Sequence, residues 1–363
     1  MKSGLTGMNK LRVCILFGGM SPEHEVSLRS AESVLNQINR EKYHVLPVGI
    51  TKKGDWMLYG GEDHSMIPTG AWEAHPGNCR VALSPVRGQG LLRFRGNLVI
   101  CEQIDVIFPV LHGLNGEDGT IQGLMQLAGI PYVGPHICAS AMAMDKAVTK
   151  RLAEQAGIHQ AEWQAVSRRE LKACPEQILS MLENRFRYPM FIKPAKGGSS
   201  LGISKASDRE QLKKAMQAAA ELDRVILVEE CILGREIEVA VMGNDCPVTS
   251  VCGEIDSGAQ FYDYEAKYLT ETSVAYIPAR IREETSETVR DTAVRIYTML
   301  GCRGMARVDF FVTYDENRVV FNEINTLPGF TSISMFPRLF EAGGISCSAL
   351  IDELLRLAME AFE

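Results

Sequence analysis

Arg307-Val-Asp309-Phe-Phe, followed after one turn by Phe321-Asn-Glu323-Ile-Asn325-Thr-Leu-Pro-Gly329, is the stretch that decides the fold. Apolar and polar residues alternate in both runs, and this period of two is typical of β-strands. A turn at 314–317 would join the two strands into a hairpin. The apolar side chains would share one face, and they are Val308, Phe310, Val320 and Ile324. The stretch therefore predicts an antiparallel pair with one face in a core.

The other face of this hairpin carries four polar side chains. If the turn centres on Glu316, Asp309 lies opposite Glu323. Arg307 then lies opposite Asn325, with directly paired Cβ atoms about 5 Å apart. Two carboxylates and an amide oxygen suit Mg²⁺ that is held jointly by protein and nucleotide phosphates. The alternative is a solvent-facing side of the hairpin, which the shortage of lysine on this face disfavours.

The composition excludes several classes of protein. With 363 residues, of which 46% are hydrophobic and 23% charged, the chain is long enough for two or three soluble domains. The net charge of -7 argues against nucleic acid as the principal partner. The ten cysteines form no CxxC pair, which indicates reduced thiols in the cytoplasm. No window approaches the roughly 18 apolar residues of a membrane span, so a cytoplasmic protein without a membrane partner is expected.

Two strand-loop-helix units open the chain. In the first, residues 11–17 form a buried strand, Ser21 and Pro22 look like an N-cap and first helical residue, and a helix covers 23–39. The second begins with a strand at 105–111 and leads into a helix at 121–127. This alternation favours a parallel α/β sheet. The Gly/Pro-rich segment between Gly60 and Gly96 is interpreted as an inserted surface loop with a hairpin.

The character of the sequence changes near residue 140, and three domains are expected, at 1–140, 141–231 and 232–363. A helix should carry Asp145 and Lys146 and end at Gly157, and a strand at 188–193 should open a short hairpin. Further strands are predicted at 225–230, 237–242, 305–312 and 318–325. Further helices are predicted at 284–300 and 347–362.

Four motifs can be interpreted either as parts of a binding site or as ordinary structural features. The loop Lys193-Pro-Ala-Lys196-Gly197-Gly198-Ser199-Ser200-Leu-Gly202 suits phosphate, although it lacks the Lys-Ser/Thr of a P-loop and a flexible hairpin tip remains open. Glu229 follows an apolar run and could bind adenine or ribose, or be merely exposed. Glu23 could bind a ligand or complement a helix dipole. The segment 262–268 could be a closing lid or a surface loop.

Together these pieces resemble the ATP-grasp superfamily and, within it, the D-alanine-D-alanine ligase family. The resemblance covers nearly the whole chain, because its motifs occur in order. They are Gly18-Gly19-Met-Ser-Pro-Glu23-His-Glu-Val-Ser27, Leu111-His112-Gly-Leu-Asn-Gly-Glu-Asp-Gly119, Asp145-Lys146 and Asn325-Thr-Leu-Pro-Gly329-Phe-Thr-Ser332-Ile-Ser334. It implies a three-domain ATP-grasp architecture, with an N-terminal parallel α/β domain and two α+β subdomains. It also implies a homodimer.

The resemblance further implies that ATP activates one D-alanine as its acyl phosphate, which a second D-alanine attacks. Two Mg²⁺ ions, for which Mn²⁺ can substitute, would be held by Asp309, Glu323 and Asn325. The phosphates would be bound by Lys146, Lys193 and Lys267. Adenosine would be bound by Glu229, Ile232 and Glu236.

The amino-acid substrates would meet a second set of residues. The first ammonium would be anchored by Glu23, supported by Ser199 and Tyr268, with His112 near the same substrate. The oxyanion of the tetrahedral adduct would be stabilised by Arg307 and the Gly329 N–H. The second carboxylate would be held by Ser334 and the Met335 N–H.

The acceptor is expected to be D-alanine as well. Relatives that make D-alanyl-D-lactate or D-alanyl-D-serine tend to lose the lid pattern Tyr264-Glu265-Ala266-Lys267-Tyr268, which is intact here. The nearest alternative is another ATP-grasp carboxylate-amine ligase, such as a ligase of one of those two kinds or a carboxylase subunit. A nucleotide-binding regulator without activity is a more distant one, and it would have little use for three metal ligands beside Arg307.

Overall fold

The computed structural model describes residues 10–198, 202–256 and 274–362. These residues form three sheets of seven, four and five strands, in chain order. The predicted α/β architecture with three sheet-containing parts is confirmed. The boundaries at 140 and 231 stay predictions.

The first sheet has the order β6-β5-β4-β3-β2-β1-β7. Its strands are β1 (Leu11–Gly18), β2 (Tyr43–Ile50), β3 (Trp56–Leu58), β4 (Cys79–Leu83), β5 (Leu91–Arg95), β6 (Leu98–Glu102) and β7 (Val106–Val110). Only β2, β1 and β7 run parallel, while β3 to β6 are antiparallel. The prediction of a parallel N-terminal sheet was therefore wrong for β3 to β6; the links β2–β3, β4–β5 and β5–β6 are too short for a parallel crossover.

The first helix begins later than predicted. Helix α1 covers His24–Gln37, and Glu23 occupies its N-cap position without a side-chain cap. Ser21 Oγ instead accepts the Glu23 N–H at 2.9 Å, so it closes the turn that precedes the helix. Ser21 and Pro22 are thus not the N-cap and first helical residue. The result places Glu23 at the junction between the glycine turn and the helix.

The segment between Gly60 and Gly96 is not a surface insertion. Its predicted hairpin exists as β4 and β5, but β4 also pairs with β3 and so continues the sheet. Trp72 is completely buried and packs edge-on against Phe17, with ring centroids 5.1 Å apart. A Cβ at Gly49 would lie 2.2 Å from the Trp72 ring, so this close approach requires glycine. The segment is part of the N-terminal core.

The second sheet has the order β10-β9-β11-β8, with antiparallel pairs throughout. Its strands are β8 (Trp163–Ser167), β9 (Met190–Pro194), β10 (Ser204–Ala206) and β11 (Val225–Glu230). The helices before and around it are α2 (Thr120–Ala128), α3 (Ile137–Met144), α4 (Lys146–Gln155), α5 (Arg168–Ala173), α6 (Pro175–Arg185) and α7 (Arg209–Leu222). The strand and hairpin predicted from residue 188 are confirmed.

The helix predicted through Asp145 is interrupted there. Asp145 has an extended backbone and is the N-cap of α4, where its side chain accepts the N–H groups of Ala147 and Val148. An aspartate in this role starts a helix and does not continue one. Lys146 is therefore the first residue of α4 and lies at a helix N-terminus.

The third sheet has the order β14-β13-β12-β15-β16 and contains the deciding hairpin. Its strands are β12 (Gly234–Met242), β13 (Val248–Asp256), β14 (Val274–Tyr276), β15 (Met305–Thr313) and β16 (Val319–Asn325), and its helices are α8 (Glu283–Met299), α9 (Met335–Ala342) and α10 (Cys347–Glu360). The sequence analysis missed β13, β14 and α9 of this part. No helix within the described residues is long and apolar enough to cross a membrane.

Candidate active site

One cavity collects most of the predicted substrate and catalytic residues. It opens where loops of the first sheet meet the ends of β15 and β16. The predicted residues that line it are Glu23, His112, Arg307, Glu323, Asn325, Gly329, Ser334 and Met335. Residues from both ends of the sequence therefore reach a single site.

The register of the deciding hairpin is as predicted. Arg307 pairs with Asn325 and Asp309 with Glu323, and a bulge follows Asp309. Asn325 Nδ2 donates to Asp309 Oδ2 at 3.0 Å. The polar face is thus a connected set of side chains and not a solvated surface.

Arg307 is the centre of an ion cluster on this face. Its guanidinium donates to both Asp309 oxygens, at 2.7 and 2.6 Å, and lies 3.0 Å from Glu238 Oε2. Burial alone would lower the pKa of Arg307, but the charges of Asp309 and Glu238 outweigh it and raise the pKa well above its ordinary value. The fork is held in one plane by two acids, which suits a fixed donor to developing negative charge.

The sequence analysis missed Glu238. It lies on β12 directly opposite Asp309 and also lines the cavity. A signal was present, because Glu236 and Glu238 alternate with the buried Ile237 and Val239. Only the pairing of β12 with β15, which the sequence does not reveal, brings Glu238 to Arg307.

Lys146 bridges the glycine-rich loop and the hairpin. Its ammonium donates to the Gly197 carbonyl at 2.7 Å and lies 3.3 Å from Glu323 Oε2. It therefore connects the start of α4 with a predicted metal ligand. A lysine between a glycine loop and a carboxylate is well placed for a phosphate group.

Lys193 and Glu229 lie apart from this cavity, in a buried cluster. Glu229 is 3% exposed, and its two oxygens lie 2.8 Å from Lys193 Nζ and 3.2 Å from Lys150 Nζ. Lys193 also donates to Asn322 Oδ1 at 3.2 Å. The contact with Lys150 lacks hydrogen-bond geometry, so only charge attraction acts there. Two lysines and one glutamate leave a buried excess of positive charge.

The pKa values of this cluster follow from its charges. Burial would raise the pKa of Glu229, but the nearby Lys150 and Lys193 lower it to about 2. Burial lowers the pKa of Lys150. The sequence analysis did not select Lys150, which faces Glu229 only because α4 packs under the second sheet.

Glu23 lies between two glycine loops. A Cβ at Gly113 would lie 2.3 Å from Glu23 Oε2, and one at Gly198 would lie 2.7 Å from it. Gly113 has a φ of 69°, which side-chain-bearing residues rarely adopt. These glycines let two backbones approach the carboxylate, and Glu23 is accordingly held at the cavity wall.

His112 and Glu117 contact the backbone of the same residue, Leu327. His112 Nδ1 lies 3.0 Å from the Leu327 carbonyl, and Glu117 accepts the Leu327 N–H at 3.2 Å. Glu117 also accepts the Gly113 N–H at 2.7 Å. Removal from water and the charge of Glu23 raise the pKa of Glu117 to about 8. The sequence analysis quoted Glu117 within a motif but gave it no role.

Ser334 and Met335 lie at the start of α9. Ser334 occupies the N-cap position, and its Oγ accepts the Thr331 N–H at 3.0 Å. Met335 is the first helical residue, so its N–H belongs to the unpaired donors of a helix N-terminus. Such a terminus suits a carboxylate.

The remaining predicted residues lie elsewhere. Ile232 precedes β12, and Glu236 lies on β12 paired with Phe311 and Ile255, and neither lines the cavity. Ser199, Lys267 and Tyr268 lie outside the described residues, so their predicted roles have no structural counterpart here.

The described residues contain no metal site built from acidic, histidine or cysteine side chains alone. Within 10–198, 202–256 and 274–362, no three His, Cys, Asp or Glu side chains are grouped for metal binding. The predicted set has two carboxylates and one amide, which are hard oxygen donors of the kind that Mg²⁺ takes. Asp309 and Glu323 are paired in register, so the residues fit an ion that phosphate oxygens also hold.

Comparisons with known proteins agree with this arrangement. The family model described as "D-ala D-ala ligase N-terminus" matches residues 12–135, and "D-ala D-ala ligase C-terminus" matches residues 152–356. A D-alanine--D-alanine ligase from Caldicellulosiruptor bescii is 50% identical, covering 97% of this chain and 96% of that protein. One from Acetivibrio thermocellus is 48% identical, covering 98% and 97%.

Solved structures of ligases are also similar to this chain. The VanG D-Ala:D-Ser ligase from Enterococcus faecalis is 39% identical with a TM-score of 0.86, covering 96% of this chain and 99% of that one. The D-alanine-D-alanine ligase from Coxiella burnetii is 32% identical with a TM-score of 0.84, covering 97% and 96%. Both family models and near-complete relatives lead to one conclusion: the chain belongs to the D-alanine-D-alanine ligase family.

Proposed function

We propose that this protein joins two D-alanine molecules at the expense of ATP, through a D-alanyl phosphate, and releases ADP and phosphate. The observation that carries the proposal is the relation to D-alanine--D-alanine ligases at 46–50% identity over nearly the whole chain. The cavity supports it, because it combines a carboxylate, a held guanidinium and a helix N-terminus. The product would serve peptidoglycan synthesis in the cytoplasm, and a homodimer is proposed by family likeness alone.

Glu23 would bind the ammonium of the first D-alanine. The proposal rests on its place at the cavity wall, between Gly113 and Gly198. His112 would lie beside the same substrate. Ser199 and Tyr268 would support Glu23, as the sequence resemblance implies.

Arg307 and the Gly329 N–H would stabilise the oxyanion of the tetrahedral adduct. Arg307 is suited to this because Asp309 and Glu238 fix its fork before substrate arrives. Ser334 and the Met335 N–H would hold the carboxylate of the second D-alanine at the start of α9. The amine would then face the acyl phosphate, and no covalent enzyme nucleophile is needed.

The nucleotide phosphates would be bound by Lys146 and Lys193, with Lys267. Adenosine would be bound by Ile232 and Glu236, with Glu229. For Lys146 the support is its contact with the glycine loop. In the observed geometry Glu229 is engaged by two lysines, so its contact with adenosine stays a prediction.

Asp309, Glu323 and Asn325 would hold two Mg²⁺ ions, or Mn²⁺ in their place. Bound there, the ions would neutralise the triphosphate and polarise its γ-phosphate. The oxygen donor set of these residues supports the proposal.

D-serine is a second candidate for the acceptor. The observation in its favour is the 39% identity to a D-Ala:D-Ser ligase over 96% of this chain. The identity to D-alanine--D-alanine ligases is higher, at 50%. D-alanine is therefore preferred.

The test is phosphate release from ATP with identification of products by mass. The substrates are D-alanine, L-alanine, and D-alanine mixed with D-serine or D-lactate, each with Mg²⁺ and with a chelator. We expect D-alanyl-D-alanine with D-alanine alone, nothing with L-alanine and no turnover with the chelator. A mixed product with D-serine in preference to D-alanine would replace the acceptor, and turnover in chelator would remove the metal assignment.

A further inference from the structure

The backbone of Leu327 is held at both its N–H and its carbonyl by one loop of the N-terminal part. Glu117 accepts the Leu327 N–H at 3.2 Å, and His112 Nδ1 lies 3.0 Å from the Leu327 carbonyl oxygen. Because both residues come from the loop after β7, that loop holds the two peptide planes that flank the Leu327 Cα.

The hydrogen-bond partners of His112 define its tautomer. A carbonyl oxygen can only accept, so the hydrogen must be on Nδ1. Nε2 of the neutral ring then accepts, and Ser30 Oγ lies 3.1 Å away as its donor. Burial lowers the pKa of His112, which favours this neutral ring. Both ring nitrogens are thus occupied within the protein, although His112 also lines the cavity.

Ser30 closes the chain of hydrogen bonds. Its Oγ accepts the Phe330 N–H at 3.2 Å while donating to His112. Ser30 is completely buried on α1 and is not among the residues that line the cavity. It therefore reaches the loop after β16 without facing the substrate.

These contacts fix both ends of a short segment. Leu327 is anchored by Glu117 and His112, and Phe330 is anchored by Ser30. Only Pro328 and Gly329 lie between, and proline has a fixed φ. A side chain at position 329 would meet Ser334, since a Cβ there would lie 2.8 Å from Ser334 Oγ. The anchors on either side limit the backbone torsions that can reorient the Gly329 N–H.

We propose that Ser30, His112 and Glu117 are positioning residues that aim the Gly329 N–H at the reacting carbonyl. The inference rests on the proposed function, in which that N–H stabilises the oxyanion. It adds a role for Ser30 and Glu117 and gives His112 a task that needs no contact with substrate. The N-terminal part thereby controls the geometry of a donor in the C-terminal part.

The first test is Ser30→Ala, because Ser30 cannot act by touching substrate. We expect kcat to fall by about 10- to 100-fold, since small displacements of a catalytic donor have effects of that size. KM for ATP should stay within about twofold, because Lys146 and Lys193 are not part of these contacts. The matched control is Ser140→Ala, which also removes a completely buried helical hydroxyl, on α3, and should leave kcat unchanged. An unchanged kcat for Ser30→Ala would overturn the proposal.

If Ser30→Ala does not fold, two variants of His112 test the same proposal. Asparagine places an N–H close to the position of histidine Nδ1, so His112→Asn keeps a donor to Leu327 whereas His112→Ala does not. We expect His112→Asn to retain about tenfold more kcat than His112→Ala. Equal losses would contradict positioning through Leu327.

A readout without catalysis separates this inference from the proposed function. Nitrogen-15 NMR of the histidine-labelled full chain reports which ring nitrogen carries the hydrogen, and His112→Asn assigns the signal. We expect a neutral ring protonated on Nδ1, with an altered Nε2 shift in Ser30→Ala. A hydrogen on Nε2 would overturn the contacts themselves, whereas a wild-type protein that makes no D-alanyl-D-alanine would overturn the proposed function and leave this result standing.

Discussion

Glu229 and Glu117 lie in two regions of the molecule and show opposite electrostatics. Glu229, in the second sheet, is only 3% exposed, whereas Glu117, beside the cavity, is partly exposed. Yet the pKa of Glu229 is lowered to about 2, and that of Glu117 is raised to about 8. Glu229, the less exposed of the two acids, therefore has the lower pKa.

Burial raises the pKa of both acids, and the difference shows that charged neighbours decide whether that effect is overcome. Glu229 has Lys150 and Lys193 within 3.2 Å, so its ionised form is favoured in spite of burial. For Glu117, burial and the like charge of Glu23 raise the pKa and outweigh the two backbone N–H donors and the attraction of Arg307. The buried cluster in the second sheet thus holds a fixed negative charge, whereas Glu117 beside the cavity has a pKa of about 8.

The largest expected effect is that of Glu229→Gln. The substitution removes the carboxylate that both buried ammonium groups contact, and the loss of one partner of a buried pair costs about 3–5 kcal/mol. The pKa of Glu229 is depressed, so its contribution is present above about pH 4.5 and is lost as the pH falls towards 2. Chemical denaturation from pH 3 to 7 should therefore show a wild-type advantage that grows up to about pH 4.5 and is constant above it.

The control for this variant is Glu221→Gln, which removes the same charge from an exposed position at the end of α7. It should change the free energy of unfolding by no more than about 0.5 kcal/mol. A similar loss in both variants would mean that Glu229 is not held by the two lysines.

The sequence predicted the parts of this comparison that depend on local pattern. The register of the deciding hairpin, the strand at 225–230 and the places of Arg307 and Glu323 followed from alternation within short segments. Glu23 and Ser334 followed from motif resemblance. Such features can be predicted from residues that are close together in the sequence.

The missed parts depend on contacts between distant segments. Lys150 meets Glu229 only after α4 packs against the second sheet, and Glu238 meets Arg307 only after β12 pairs with β15. Ser30 reaches Phe330 across most of the chain. Trp72 was placed on the surface because its segment is rich in glycine and proline, although these residues allow the tight turns that bury it. Pairing partners of this kind are not encoded by local periodicity.

Glu117→Gln should give the second largest effect, with the opposite dependence on pH. The folded protein binds a proton at Glu117 up to about pH 8, whereas the unfolded chain loses it near pH 4.5. The free energy of unfolding of the wild type should therefore fall relative to Glu117→Gln as the pH rises from 5 to 8, by up to about 1 kcal/mol per pH unit. Denaturation curves at half-unit intervals measure this difference.

The exposed Glu154→Gln on α4 serves as the control, because it removes the same charge from the surface and should change the free energy of unfolding by no more than about 0.5 kcal/mol. A flat difference for Glu117→Gln as well would place the pKa of Glu117 near its ordinary value. Of the two acids, only Glu229 would then have a shifted pKa.

The smallest expected effect is a partial rescue within the buried cluster. In Glu229→Gln, Lys150 and Lys193 repel each other without a carboxylate between them. Replacing Lys150 by methionine removes one of these charges and keeps most of the volume, so Lys150→Met should recover about 1–2 kcal/mol in that background. In the wild type the same change removes an attraction to Glu229 and should be neutral or destabilising.

The coupling is measured by a double-mutant cycle from the free energies of unfolding at pH 7, with Lys150→Met and Glu221→Gln as the additive control pair. If the two changes at the cluster are also additive, Lys150 does not share in the charge balance of Glu229, and Lys193 alone lowers its pKa.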